Sequence, residues 1–267
     1  MNIIFFGSTT DSILILEKLK SVVAVVTQPA RPIGRKQIIT PTAVETWAKK
    51  QNIPVHVDVR IPFQADLLIS ASYGEKIPTK TIADAKYGGL NVHPSLLPRW
   101  RGADPVPWAI LSGDHQIGVT VVTLSEEFDE GKILAQKKLP ITNHDTSGPL
   151  RTKLFEIGAE LLAEILAKGP PFKGSPQEKS DTPYAQRFTR EDGFEPWGKI
   201  MDPKEAIRID RKFRAFTPWP GLWSLREKKR LKILACHLSP IPGLILDQVQ
   251  WEGKKPQPYQ ATSVNTK

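Results

Sequence analysis

The sequence predicts an α/β protein: a doubly wound, mostly parallel sheet, followed by a small antiparallel or barrel module. Two observations carry this. Over the first two-thirds of the chain, apolar runs of strand length alternate with segments of helix length. Beyond a proline- and glycine-rich stretch at 169–176 the pattern changes to short β-like runs. Residues 3–6, 22–26, 67–70, 90–93 and 119–124 are short continuous apolar runs of the kind that form parallel strands buried on both faces. Helices are expected between them at 11–20, 42–52, 79–86 and 104–112. The second begins with Thr42-Ala43-Val44-Glu45, a capping-box pattern. A longer helix is expected at 147–168, capped by Thr146, with Leu150, Leu154, Ile157, Leu161, Leu162 and Ile165 at helical spacing. After it come one short helix at 203–216, then strands at 222–225, 231–237 and 244–251. The domain division is therefore 1–170, a linker at 171–202, and 203–267.

Composition excludes several classes. Hydrophobic content of 40% with 24% charged residues is that of a soluble globular protein. Cys236 is the only cysteine, so no intrachain disulfide can form and a reducing compartment fits. No apolar run reaches the roughly 20 residues of a membrane span. The start, Met1-Asn2-Ile3-Ile4-Phe5-Phe6-Gly7, lacks the basic region and cleavage site of a secretory signal. A cytoplasmic monomer that engages no membrane is expected. Of the net charge of +9, residues 199–267 carry 14 Lys+Arg against 6 Asp+Glu, whereas residues 1–198 carry 23 against 22. An excess confined to the last quarter points to a nucleic-acid or other polyanion surface there.

The segment Asn91-Val92-His93-Pro94-Ser95-Leu96-Leu97-Pro98-Arg99-Trp100-Arg101-Gly102 is the most informative. An amide and an imidazole two residues apart on a strand share a face, with Val92 opposite. They close a strand, where ligands of doubly wound sheets bind. An apolar loop and a basic, aromatic turn follow, which suit a ligand wall and a nearby polyanion. Asp129, in Asp129-Glu130-Gly131, lies just past the next expected strand. Such a sequence is ordinary turn chemistry by itself. Two adjacent strand ends would nevertheless bring amide, imidazole and carboxylate together, a set suited to acyl transfer. A second candidate is Thr27–Lys36, whose cations Arg31, Arg35 and Lys36 lie in a stretch without acids and could contact phosphates. Other chemistries fare worse. Gly7 lacks the further glycines of a dinucleotide fingerprint, the five histidines show no pair at metal-ligand spacing, and Ser95 sits outside a nucleophile elbow.

With these residues in hand the chain resembles the 10-formyltetrahydrofolate-dependent formyltransferase family, over almost its whole length. The 91–102 segment is similar to the family's core motif, and Asp129-x-Gly131 to the position of its essential aspartate. Ser72-Tyr73-Gly74 with Ile77-Pro78 resembles the preceding strand-loop. Val25-Val26-Thr27-Gln28-Pro29 with Arg31-Pro32-x-Gly34-Arg35, and Arg214-Ala215-Phe216-x-Pro218-Trp219-Pro220-Gly221, resemble features of its tRNA-acting branch. The resemblance implies a Rossmann-like formyltransferase fold with a shortened OB-like barrel; only about 50 residues follow Trp219. It implies 10-formyltetrahydrofolate as donor, methionyl-initiator tRNA as acceptor, and no metal. Asn91 and His93 would donate to the developing oxyanion and handle protons, with Asp129 orienting the imidazole. Ser95, Leu96, Leu97, Pro98, Tyr73 and Gly74 would wall the folate, and Arg31, Arg35 and Lys36 would meet the tRNA. The chain departs from the family pattern at Ala30, Lys36 and Lys132. A sugar- or nucleotide-amine formyltransferase, a non-catalytic RNA-binding relative and a formyl-donor hydrolase are the alternatives.

Overall fold

A computed structural model describes residues 1–34, 36–59, 64–178 and 183–260, in two compact units. The first comprises residues 1–105, 116–140 and 151–186, the second residues 106–115, 141–150 and 187–267. In chain order the first unit holds β1 (Ile3–Phe6), α1 (Thr10–Leu16), β2 (Val22–Val26), β3 (Arg31–Ile33), β4 (Ile38–Thr40), α2 (Ala43–Lys50), β5 (Val55–His56), β6 (Leu67–Ser70), α3 (Thr79–Asp84) and β7 (Gly89–His93). After α4 (Pro105–Ser112), which falls in the second unit apart from its first residue, β8 (Gln116–Thr123) and β9 (Ile133–Pro140) complete the main sheet. Most of α5 (Ser147–Lys168) belongs to the first unit.

The sheet has the order β5-β2-β1-β6-β7-β8-β9. The apolar runs become its parallel centre because both faces are covered: all four residues of β1 and of β6 are buried. Burying Phe5 and Phe6 completely contributes roughly 1.5–3 kcal/mol each. The strand order turns at β1, with β2 on one side and β6 on the other, which places the switch-point crevice beyond Gly7 and Ser70. Of the capping box expected at Thr42, the N-cap half is formed. Thr42 Oγ1 accepts from the Glu45 amide at 3.0 Å, a contact worth about 1 kcal/mol.

One expectation fails in a way that matters for the site. The run at 119–124 is not a parallel strand, because β8 pairs antiparallel with β7, Leu90 opposite Thr123 and His93 opposite Thr120. Its carboxyl end therefore lies beside the start of β7. The strand β9, antiparallel to β8, lies outside the expected strands because its Ile-Leu-Ala-Gln-Lys-Lys-Leu-Pro sequence is broken by three polar residues and none of it is buried. The basic loop at 27–36 is likewise more regular than expected, with β3 and β4 forming a hairpin in which Arg31 faces Thr40.

The second unit contains α6 (Trp197–Ile200), α7 (Ala206–Ala215) and a four-stranded antiparallel sheet of β10 (Leu222–Arg226), β11 (Lys229–Leu238), β12 (Leu244–Trp251) and β13 (Gln257–Pro258). Its buried apolar residues (Leu222, Leu231, Ile233, Leu246, Val249) pack with Ile209 and Phe213 of α7. Among the described residues no ladder joins β10 to β13, so the expected barrel is an open meander: four strands, one of two residues, are too few to close. Burial pushes the Cys236 thiol up to about 12, with Asp210 and Asp247 adding to it, a shift that disfavours the nucleophilic thiolate. No helix of the described residues is long and apolar enough to cross a membrane.

Candidate active site

Strand alternation puts Asn91 and His93 on one face of β7, as expected. Val92 turns the other way, against Gly158 of α5, where an added Cβ would come within 2.6 Å of Val92 Cγ1. Asp129 joins them, but not from an adjacent strand end. It sits in the β8–β9 loop, which returns over the face that carries Asn91 and His93. The Asn91 Nδ2 donates to Asp129 Oδ1 at 3.0 Å, and His93 Nδ1 lies 3.3 Å from the same oxygen. The other oxygen, Oδ2, accepts from the Gly102 amide at 3.0 Å. The Asp129 backbone is left-handed (φ 59°), a conformation Asp tolerates better than most residues. Gly131 is required for another reason: a Cβ there would stand 1.8 Å from the Thr123 carbonyl oxygen.

His93 is 4% exposed and both ring nitrogens face acceptors, since Nε2 donates to the Trp100 carbonyl at 2.8 Å. Trp100 presents that carbonyl from a left-handed backbone (φ 61°), strained for so bulky a residue. Among the described residues Asn91 differs from His93 in having a donor to spare: Nδ2 carries two hydrogens and Asp129 takes one.

The Ser95–Pro98 loop is fixed from beneath. Thr120 Oγ1 donates to Ser95 O at 2.7 Å and accepts from the Leu97 amide and from Gln136 Nε2, which also donates to Leu97 O. Ser95 and Leu97 are buried within the protein, whereas Leu96 and Pro98 stay half-buried. Tyr73 is also buried, edge-on to Phe6; burial pushes its hydroxyl up to about 12, with Glu75 and Asp58 adding to it. Of the six residues expected to wall a folate, three side chains are therefore taken up by the core. Gly74 (φ 86°) continues from Tyr73 at the switch point, where Ser8 Oγ and Gln28 Nε2 both donate to Tyr73 O.

The expected phosphate contacts and the basic turn part company. Arg31 and Lys36 are exposed on the β3–β4 hairpin, Arg31 donating to Gln28 Oε1 at 2.7 Å; Arg35 lies outside the described residues. The basic turn after Pro98 is half-buried, and both of its arginines have partners within the protein. Arg99 stacks on the Trp100 ring at 4.4 Å, and Arg101 is engaged by Glu130 and Gln177. Gln177, 48 residues from Asp129, had no local signal in the sequence. Among the described residues no group of three His, Cys, Asp or Glu side chains is placed to hold a metal ion.

Comparison with known proteins adds the family. Residues 1–166 match the family described as Formyl transferase, and residues 198–243 match Formyl transferase, C-terminal domain. Among curated proteins, a methionyl-tRNA formyltransferase of Listeria monocytogenes is 37% identical over 249 residues, spanning 86% of this chain and 77% of that one. One of Gluconobacter oxydans is 36% identical over 258 residues, spanning 91% and 82%. Among solved structures, an N-formyltransferase from Helicobacter canadensis, in complex with folinic acid and dTDP-3-aminofucose, superposes with a TM-score of 0.67 at 17% identity, covering 90% of each chain. At that identity the likeness concerns the fold.

Proposed function

This chain belongs to the formyl transferase family, and on that premise we propose that it moves a formyl group from 10-formyltetrahydrofolate to the α-amine of methionine on initiator tRNA. The observation that carries the reading is the convergence of Asn91, His93 and Gly102 on one Asp129 carboxylate, in a chain whose 36–37% identical relatives bear the name methionyl-tRNA formyltransferase. The neutral amine attacks the formyl carbon, and the carbonyl electron pair moves onto oxygen. The second Nδ2–H of Asn91 meets that charge, a preorganised donor of the oxyanion-hole kind. The C–N bond forms and the amine proton passes to the His93–Asp129 pair. As the bond from carbon to folate N10 breaks, a proton goes to N10 and tetrahydrofolate leaves.

In this reading Leu96, Pro98 and the Gly74 backbone offer the folate its surface, with Ser95, Leu97 and Tyr73 supporting them from within. Arg31, Arg35 and Lys36 contact the acceptor arm. Residues 1–170 form the catalytic domain, 171–202 the connection, and 203–267 a shortened basic tRNA-binding domain. The protein acts as a cytoplasmic monomer. The test supplies formyl-labelled donor with methionyl-tRNA, uncharged tRNA or an amino sugar. Label on methionyl-tRNA alone is expected; label on the amino sugar, or formate released without acceptor, would overturn the reading.

A further inference from the structure

The stretch after α5 reads from sequence as a connection, yet it pairs with the start of β9 and with the Gly102 turn. Ser175 pairs with Ile133, each amide donating to the other's carbonyl, at 2.9 and 2.8 Å. Ala185 bridges to the Gly102 turn, its amide donating to Arg101 O at 2.7 Å and its carbonyl accepting from the Ala103 amide at 2.8 Å. Between those anchors the half-buried Gln177 does something a spacer does not require. Its Nε2 donates to the backbone carbonyls of Asp129 (2.6 Å) and Gly131 (2.9 Å). Its Oε1 accepts from Arg101 Nε (3.1 Å) and Nη2 (2.8 Å). Arg101 in turn donates from Nη1 to Glu130 at 2.7 Å, so three successive residues of the Asp129 loop are held from one amide and its partner.

We propose that Gln177 is the positioning residue for the catalytic carboxylate: it fastens the backbone on both sides of Glu130 and ties that loop, through Arg101, to the turn whose Gly102 amide holds Asp129. The physical need is plain. Asp129 has a left-handed backbone on a loop that must return over the sheet face, and its neighbours Glu126, Glu127, Phe128 and Glu130 are exposed. Little apolar burial is available to hold the loop, so directed hydrogen bonds must. An amide side chain suits the position because it donates two bonds and accepts two at once, whereas an ionised carboxylate donates none. Displacement of a reacting group by about 1 Å can cost about 10²-fold in rate.

This inference rests on the formyl-transfer reading for its rate prediction, so the experiment has a second, activity-free arm. The Gly102 amide donates to Asp129 Oδ2, so its hydrogen exchange reports where that carboxylate stands. In Gln177→Ala, Gly102 exchange is expected to accelerate about tenfold or more, while the Leu97 amide, bound to Thr120, keeps its protection. Formyl transfer should fall by about 10- to 100-fold in kcat with KM for the formyl donor unchanged, and this penalty should largely vanish when measured in an Asp129→Asn background. Should the alanine variant fail to fold, Gln177→Glu keeps the side-chain length and the acceptor for Arg101 and loses the two donated bonds, with the same outcomes expected. Unchanged Gly102 exchange, or a penalty that simply adds to that of Asp129→Asn, overturns the proposal. An unaltered protein that transfers no formyl group overturns the functional reading instead, and Gly102 exchange still decides the role of Gln177.

Discussion

Two carboxylates, the half-buried Asp129 in the first unit and the buried Glu195 in the second, are held in opposite ways. Asp129 in the first unit is gathered by neutral donors, the Asn91 amide and the Gly102 backbone, and by one imidazole. Glu195 in the second unit is gathered by full cations. Arg208 donates to both of its oxygens at 2.6 and 3.1 Å, and Lys212 donates at 2.7 Å while also holding Phe194 O. Burial pushes the Glu195 carboxyl up, but those hydrogen bonds and charges outweigh it and hold the group below the ordinary carboxylate range. The contrast separates chemistry from architecture. A carboxylate neutralised by two cations has nothing left to do but tie α7 to the chain before it. One held by neutral groups keeps its charge for the imidazole beside it.

The largest effect expected tests the first half of the contrast. Asp129→Asn, like Asn91→Ala, should lower kcat by about 10²–10³ while leaving the melting temperature close to that of the unaltered protein. Near-normal turnover in either variant would break the assignment of chemistry to this cluster. The second half predicts the reverse pattern at Glu195. Glu195→Ala leaves Lys212 half-buried without its carboxylate and should cost about 3 kcal/mol of stability by denaturant titration, with kcat of the folded protein unchanged.

The sign of the Glu195 shift sharpens this further. The folded value lies below the ordinary 4.5, so the stabilisation is present in full above that pH and is lost as pH falls through the folded value. The stability gap between the unaltered protein and Glu195→Gln should therefore be widest near neutrality and narrow below about pH 4.5. A gap that is flat across that window would mean the cluster does not act as an ion pair. The smallest effect concerns exposed charge. Replacing Lys229 and Lys232 of β11, both exposed, should shallow the salt dependence of tRNA binding by about one unit of slope per lost phosphate contact. It should leave kcat at saturating acceptor unchanged. An unaltered slope would remove this strand from the binding surface.

Much of this organisation could be read from the chain because it rests on local rules. Continuous apolar runs became β1, β2 and β6 at the expected bounds, and Ser147–Lys168 became a helix over its whole expected length. Period-two alternation put Asn91 and His93 on one face, and single-sequence composition located the excess of positive charge. Tertiary structure decided the rest. The direction of β8 was open, since an apolar run fits a buried strand running either way, and which way it runs depends on the connection that precedes it. That direction changed how Asp129 arrives. It comes by a loop turning back over the sheet, which in turn explains why Gly131 must lack a side chain. Arg99 and Arg101 read from sequence only as a basic stretch, and it took the fold to show that Trp100, Glu130 and Gln177 engage them. Gln177 itself left no trace, because a lone glutamine in a proline-rich stretch has no periodicity, charge or spacing to mark it. Its role exists only where folding closes the 48 residues between it and Asp129 into a hydrogen bond.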